Sequence, residues 1–222
     1  MKIKKPLYVK TESISNAESD LMEQLLSIEP DVDLMSCIYC LHYKSRADAL
    51  GRNCKLSYCP CLTERIQYGM VNYTDFILDL CHELKCPEFS ARVMSVLMEQ
   101  NAMKSFMNKK HKTLFFNVMD EYDSLDTLLM AALYLLTADE KLWQQAKKHI
   151  KDDTINFKKF KPQDCSTTTY SLFCVAKDLY KGSTHCTLAD LADSSIVTNR
   201  LFNIICNAFL IRVYGIGVVI PQ

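Results

Sequence analysis

Apolar and polar residues alternate along most of the chain at the spacing of helices that bury one face. At residues 72–84, Phe76, Leu80 and Leu84 fall four positions apart, which places them on one side of a helix. Apolar residues at this helical spacing predict helices over residues 16–27, 72–84, 89–99, 111–122, 124–136, 137–150, 167–180 and 197–212. The low content of glycine and proline, 5 and 6 residues, also favours helices. We therefore expect a mainly α fold built as a helical bundle.

Local patterns refine this bundle. Residues 128–136 are apolar without interruption, so the helix over 124–136 is expected to be its buried centre. Residues 213–220 are rich in Val, Tyr and Ile, and they predict a short strand that could pair with residues 7–9. Residues 31–66 have few periodic apolar positions and predict a loop-rich segment.

Several helix ends carry capping signals. Thr137 and Glu140 are spaced as a capping box that would open the helix over residues 137–150. Lys181 and Gly182 fit the last turn of the helix before them and the residue after it. Residues 187–190 predict a short turn.

Composition limits the class of protein. The 222 residues are 49% hydrophobic and 23% charged, which is enough to build a core and excludes a wholly disordered chain. The formal net charge of zero argues against a protein whose main task is to coat nucleic acid or anionic lipid. The longest apolar run is about half of what a membrane span needs. We therefore expect a cytoplasmic protein that does not enter a membrane.

The cysteines are unevenly placed. Of 11 cysteines, 7 fall within residues 37–86, and in a reducing compartment they favour metal binding or burial over disulfides. This step in composition predicts two parts. Residues 1–103 would form a helical part that includes a zinc-binding cysteine loop at 31–66, and residues 104–222 a helical bundle.

Two closely spaced groups of cysteines have the spacing of a zinc site. The proposed ligands are Cys37, Cys40, Cys54 and Cys59, with Cys61 as the alternative fourth ligand. A C-x2-C pair lets two thiolates reach one ion, and a second group ten to twenty residues later completes a tetrahedron. Four sulfur ligands leave no open position for water, so the predicted zinc is structural. Free buried thiols are the alternative.

A Cys3His site that uses His42, or an open hydrolytic site with His42 or His82, is a further alternative. The spacing does not match the zinc deaminases, which need an H-x-E partner for the second cysteine pair. It also lacks the strand-to-helix setting of thioredoxin-like redox sites.

A basic segment near residue 160 is a candidate nucleic-acid contact. Lys158, Lys159 and Lys161 alternate with Phe157 and Phe160, and such a pattern can hold phosphates while the rings stack on bases. The alternative is a solvated polar loop, which the acidic residues at 152–153 and the neutral net charge favour.

Two smaller groups have weaker chemical interpretations. An acidic group at Asp120, Glu121, Asp123 and Asp126 could bind magnesium, although acids before a helix are also explained by the helix dipole. Cys186 follows His185 and could form a nucleophile pair with it, but no orienting Asp or Asn is evident in the sequence.

Two short motifs resemble a known family. The segments FMNKKHK at residues 106–112 and AALYLLTAD at 131–139 are similar to a domain family of unknown function in gut bacteria, common on conjugative elements and prophages. The resemblance covers about residues 104–214. The cysteine segment before it is similar to clusters in other small proteins of these elements. The resemblance implies no catalytic residue.

Together these features predict a protein that acts by binding and is not an enzyme. Its partner would be another protein, and the resemblance suggests an accessory or regulator of a mobile element, for example an inhibitor of a host defence system like an anti-CRISPR protein. The alternative is a zinc-dependent nucleic-acid-binding regulator that uses the lysines at 158, 159 and 161.

Overall fold

A computed structural model of the protein describes residues 72–99, 104–122 and 126–220. These residues hold eight α-helices, two 3-10 turns and one short antiparallel hairpin. The helices are α1 (Tyr73–Leu84), α2 (Pro87–Glu99), α3 (Lys109–Met119), α4 (Thr127–Leu136), α5 (Glu140–Ala146), α6 (Thr167–Lys181), α7 (Leu188–Ala192) and α8 (Asn199–Tyr214). The strands are β1 (Ile150–Lys151) and β2 (Thr154–Ile155). The predicted mainly helical fold is confirmed for the described residues.

Helix α4 is the centre of this unit, as its apolar run predicts. Every residue from Leu129 to Leu136 is buried, and α6 and α8 pack along it. A helix of ten residues with apolar side chains on all sides can be stable only where neighbours cover its whole circumference. Helices α6 and α8 provide that cover, and each is itself buried over its central turns, at residues 171–176 and 201–208.

Helices α1 and α2 belong to the same compact unit, which runs from Tyr73 to Ile220. The guanidinium of Arg92 in α2 is buried, donates to the carbonyls of Leu191 and Val197, and lies 4.5 Å from the ring centroid of Phe202. The boundary predicted between residues 103 and 104 lies inside this unit. The predicted zinc-binding loop at residues 31–66 and the helix over 16–27 lie outside the described residues.

The chain between α4 and α6 differs from the sequence prediction. Thr137 is the C-cap of α4, and the side chain of Asp139 caps α5, so the capping box predicted at Thr137 is wrong. Helix α5 also ends at Ala146, and a hairpin follows that the sequence analysis missed. Its turn places Asp152 and Asp153 at positive φ, a conformation that Asp adopts more readily than most residues.

The tail after α8 forms no strand. Residues Val213 and Tyr214 complete the last turn of α8, Gly215 ends it at φ 85°, and Ile216–Val218 form a 3-10 turn. Val218 and Val219 are buried in this compact turn, so the β propensity of these residues is overridden by packing. The predicted strand at 213–220 is therefore wrong, and residues 7–9 lie outside the described residues.

Of two helix ends after residue 180, one agrees with prediction. Gly182 ends α6 in the left-handed conformation, at φ 68°, as predicted. Thr187 and Asp190 form a complete capping box before the helix α7, where the sequence predicts a short turn. Among the described helices, none combines the length and the hydropathy that crossing a lipid bilayer requires.

Candidate functional site

The cysteines of the predicted zinc site lie outside the described residues: Cys37, Cys40, Cys54, Cys59 and Cys61. Within the three described ranges, no group of three or more His, Cys, Asp or Glu side chains could hold a metal ion. The zinc site thus stays a prediction from the sequence.

The aromatic residues of the basic segment belong to the core. Phe157 and Phe160 are 3% and 1% exposed, and their ring centroids lie 5.8 Å and 5.0 Å from that of Phe173 in α6. Free ring faces for stacking on bases, as the sequence pattern suggested, are therefore not available at Phe157 and Phe160. Instead, these side chains form the floor of a pocket.

This pocket has a volume of about 670 Å³ and is lined by two segments of the chain, residues 157–162 and helix α6 with the turn after it. The lining residues are Phe157, Lys158, Phe160, Lys161, Pro162, Tyr170, Phe173, Lys177, Lys181 and Ser183. Four of these ten residues are lysines and none is acidic. The pocket therefore combines an aromatic floor with a positively charged rim, and we call it the lysine pocket.

The sequence identified two of the four lysines. Lys158 and Lys161 line the lysine pocket, whereas Lys159 does not. Lys177 and Lys181 come from α6, four positions apart and thus on one helix face. Their spacing is visible in the sequence, but only the packing of α6 against the 157–162 segment brings them to the other pair.

Asp178 fixes the chain that follows α6. Its carboxylate accepts hydrogen bonds from the hydroxyl of Ser183 at 2.7 Å and from the backbone N–H groups of His185 and Cys186 at 2.7 Å and 2.9 Å. Nδ1 of His185 lies 2.6 Å from the same carboxylate, and Nε2 lies 2.9 Å from Nζ of Lys177. The geometry fits a tautomer in which Nδ1 donates to Asp178 and Nε2 accepts from Lys177.

Other carboxylates near the basic segment do not enter the lysine pocket. Asp152 and Asp153, which argued against an anion site in the sequence, form the hairpin turn and do not line it. A second pocket, of about 420 Å³, differs in the charge of its lining residues, because Lys109 and Lys110 line it together with Glu140. Nζ of Lys110 lies 3.7 Å from the Glu140 carboxylate, so positive charge is partly balanced there.

The structure does not support Cys186 and His185 as a nucleophile pair. Burial raises the pKa of the Cys186 thiol to about 12, with further contributions from Cys174 and Asp178. Both ring nitrogens of His185 face other side chains. An orienting carboxylate is present after all, since Asp178 holds the imidazole, but it does not direct it at a thiol.

The first family-like motif builds the core. Asn108 caps α3 by accepting from the backbone N–H of His111 at 2.8 Å. The His111 ring is 1% exposed, with Nδ1 accepting from the N–H of Met107 at 3.0 Å and Nε2 2.8 Å from the carbonyl of Tyr134. Burial lowers the His111 pKa to about 4, so the ring is neutral at pH 7. His111 is therefore a structural residue and no part of a basic patch.

The second motif completes the same arrangement. The hydroxyl of Tyr134 donates to the carbonyl of Ser105 at 2.5 Å and accepts from Nδ2 of Asn207 at 3.1 Å. Thr137 donates to the carbonyl of Leu133, while Asp139 caps α5 and accepts from the Thr169 hydroxyl. The side chains of the two family-like motifs thus cap helices and make buried hydrogen bonds.

The acidic group between α3 and α4 also has a structural explanation. Asp126 caps α4 by accepting from the N–H of Leu129 at 2.6 Å, and Asp120 is the C-cap residue of α3. Asp123 lies outside the described residues. At Asp126, the carboxylate satisfies a free helix N–H, as the helix-terminus explanation expects.

Comparison with known proteins gives one match. The model of a family of unknown function, DUF6075, matches residues 101–216, just over half of the chain. No curated protein and no solved structure matches.

Proposed function

The chain belongs to this family of unknown function, and from that premise we propose that it is a non-enzymatic binding protein whose lysine pocket contacts nucleic acid. The single observation that supports the proposal is the convergence of Lys158 and Lys161 with Lys177 and Lys181 around one aromatic pocket, which has no acidic residue among its described lining residues.

The charge around the pocket favours an anionic ligand even though the whole chain is neutral. Phosphate contacts by lysine supply most of the sequence-independent affinity of nucleic-acid-binding proteins. A local cluster of lysines produces that attraction without a high net charge, because screening limits each contact to about 8–10 Å in ordinary salt. The Asp178 carboxylate, which follows Lys177 in α6, accepts its hydrogen bonds from the 183–186 turn and is not among the residues that line the pocket.

The test is binding of the full chain to fluorescein-labelled DNA and RNA, followed by fluorescence anisotropy while salt is raised. We expect affinity to fall steeply with salt, and the double variant K158E/K161E to lose at least about tenfold in affinity. The matched control is K112E/K141E, which makes the same charge change at two exposed lysines outside the pocket lining. Equal losses in both variants, or no binding at low salt, would contradict the proposal.

A second candidate is a protein-binding accessory of a mobile genetic element, such as an inhibitor of a host defence system. The resemblance to proteins of conjugative elements and prophages supports it. On the described surface, Met94 and Met98 are 42% and 79% exposed and lie one helical turn apart on α2. Adaptable methionine side chains are frequent at protein-binding surfaces. Affinity purification with the M94E/M98E variant beside the natural chain tests it: the specific partner should be lost from the variant only.

We further propose that the cysteine loop holds a structural zinc through Cys37, Cys40, Cys54 and either Cys59 or Cys61. The support is the spacing of the cysteines alone. Elemental analysis of the full chain should give one zinc per chain, and C37S should remove it. Absence of zinc from protein purified without chelator would refute this proposal and leave the lysine pocket unaffected.

A further inference from the structure

We propose that the lysine pocket takes an unpaired base of a single-stranded nucleic acid, with the flanking phosphates held by its lysine rim. This inference depends on the proposed function, because it names the form of nucleic acid that the same site binds. The two are separable, since a protein that contacts only phosphates would bind single and double strands alike.

The size of the pocket matches one nucleotide. Its volume of about 670 Å³ lies in the range of sites that enclose a single drug-sized ligand, roughly 300–1,000 Å³. The bases of a duplex are stacked and paired, so a duplex would present only its phosphates to this opening. To fill the pocket, a duplex would have to extrude a base, which costs unstacking and unpairing. A single strand can offer a base without that cost.

The wall of the pocket has one ring that a base can reach. Tyr170 is 53% exposed, in contrast to Phe157 and Phe160 on the floor. Its ring centroid lies 6.2 Å from that of Phe173, so the ring has an aromatic partner on its own helix. Base stacking on such an aromatic ring is tolerant of sequence because every base has a π face.

The four pocket lysines come from the two segments that line the pocket. Lys158 and Lys161 precede Tyr170 and belong to the loop segment, whereas Lys177 and Lys181 follow it on α6. Because the loop segment and α6 each supply two of these lysines, both segments that line the pocket can contact the phosphates that flank a bound base. Among the described residues that line the pocket, no carboxylate opposes the lysines.

The experiment compares labelled single strands of about 12 nucleotides, as DNA and as RNA, with the same sequences in duplex form, using the full chain. The expected result is at least about tenfold tighter binding of the single strands. Tyr170→Ala should remove this preference by weakening single-strand binding about tenfold while duplex binding stays within twofold. Tyr170→Phe keeps the ring and should restore the natural affinity. Since Tyr170 is exposed, circular dichroism should show the natural helix content in both variants.

Three results would overturn the inference. Equal affinity for both forms, with no effect of Tyr170→Ala, would leave a phosphate-binding surface and keep the proposed function. Binding of a mononucleotide as tightly as the oligonucleotide would make this a small-ligand site. Binding of neither form at low salt would overturn the proposed function as well, and would favour a protein partner.

Discussion

His111 and His185 belong to the same helical unit and have opposite surroundings. The His111 ring is 1% exposed and bonds to backbone groups, Met107 N–H and Tyr134 C=O. The side chain of His185 is 42% exposed and lies between the charged groups of Asp178 and Lys177. One histidine completes the core, and the other orders the turn beside the lysine pocket.

The difference shows what burial does to a polar side chain. In the core, each nitrogen of His111 must keep its partner, because an unpaired buried donor or acceptor costs about 1–3 kcal/mol. At the surface, water can replace a lost partner of His185. The residues of the two family-like motifs are thus expected to determine the stability of the fold, while the lysine pocket is expected to determine ligand binding. The following predictions test that division, beginning with the largest effect on the free energy of unfolding.

Replacing His111 should have the largest effect. His111→Ala removes a buried ring and leaves Met107 N–H without its side-chain partner. Tyr134 C=O keeps the 3.2 Å bond from the Thr137 hydroxyl and loses the bond to the ring. The free energy of unfolding should fall by about 3–5 kcal/mol. The measurement is urea unfolding followed by fluorescence of Trp143, the sole tryptophan. The matched control His185→Ala should cost less than about 1 kcal/mol. Similar decreases in the free energy of unfolding of the two variants would contradict the expected difference between the buried and the exposed histidine.

The pH dependence of stability should report the same burial. The folded pKa of His111 is lowered to about 4 from 6.5, so the unfolded chain binds this proton more readily. Stability from this group is therefore complete above pH 6.5 and is lost as pH falls toward 4, by about 3 kcal/mol. His111→Gln has no titrating group at this position and should show a flatter profile over that window. Identical profiles in the two proteins would contradict this account.

Removing the anchor beside the lysine pocket should have an intermediate and local effect. Asp178→Ala deprives two backbone N–H groups, of His185 and Cys186, of their acceptor and should cost about 1–2 kcal/mol. Hydrogen exchange should become faster at residues 183–187 while α4 keeps its protection. Asp178→Asn retains an acceptor oxygen, so it should keep part of the protection from hydrogen exchange that Asp178→Ala loses at residues 183–187. Unchanged exchange at 183–187 would mean that this carboxylate does not hold the turn.

Charge reversal on the lysine rim should have the smallest effect on stability. Lys158 and Lys161 are exposed, so K158E/K161E should change the free energy of unfolding by at most about 0.5 kcal/mol, while it weakens nucleic-acid binding. The same urea unfolding measurement checks it. A fall in the free energy of unfolding above about 2 kcal/mol would show that this segment is needed for folding. Weaker nucleic-acid binding by the variant could then be a result of unfolding and would not show that the lysines contact the ligand.

Much of the fold could be predicted from local patterns. The helix over 124–136 is apolar on all sides, and it is the buried helix α4. Gly182 also ends α6 where short-range rules place it. At 213–220, by contrast, propensity predicted a strand, but Val218 and Val219 gain more from burial in a turn.

The lysine pocket could be only half predicted. Lys158 and Lys161 stand out because they are close in sequence, whereas Lys177 and Lys181 look like ordinary exposed positions of an amphipathic helix. The role of Phe157 and Phe160 was misjudged, since adjacent basic residues gave no sign that these rings pack against Phe173.

The sequence alone predicted seven of the eight described helices and some of their ends, because each depends on residues within one or two turns of each other. Only the tertiary structure decided that four lysines share one pocket, that Asp178 holds His185, and that His111 is neutral. These properties depend on distances and water exclusion between segments far apart in the chain, and periodicity carries no information about either.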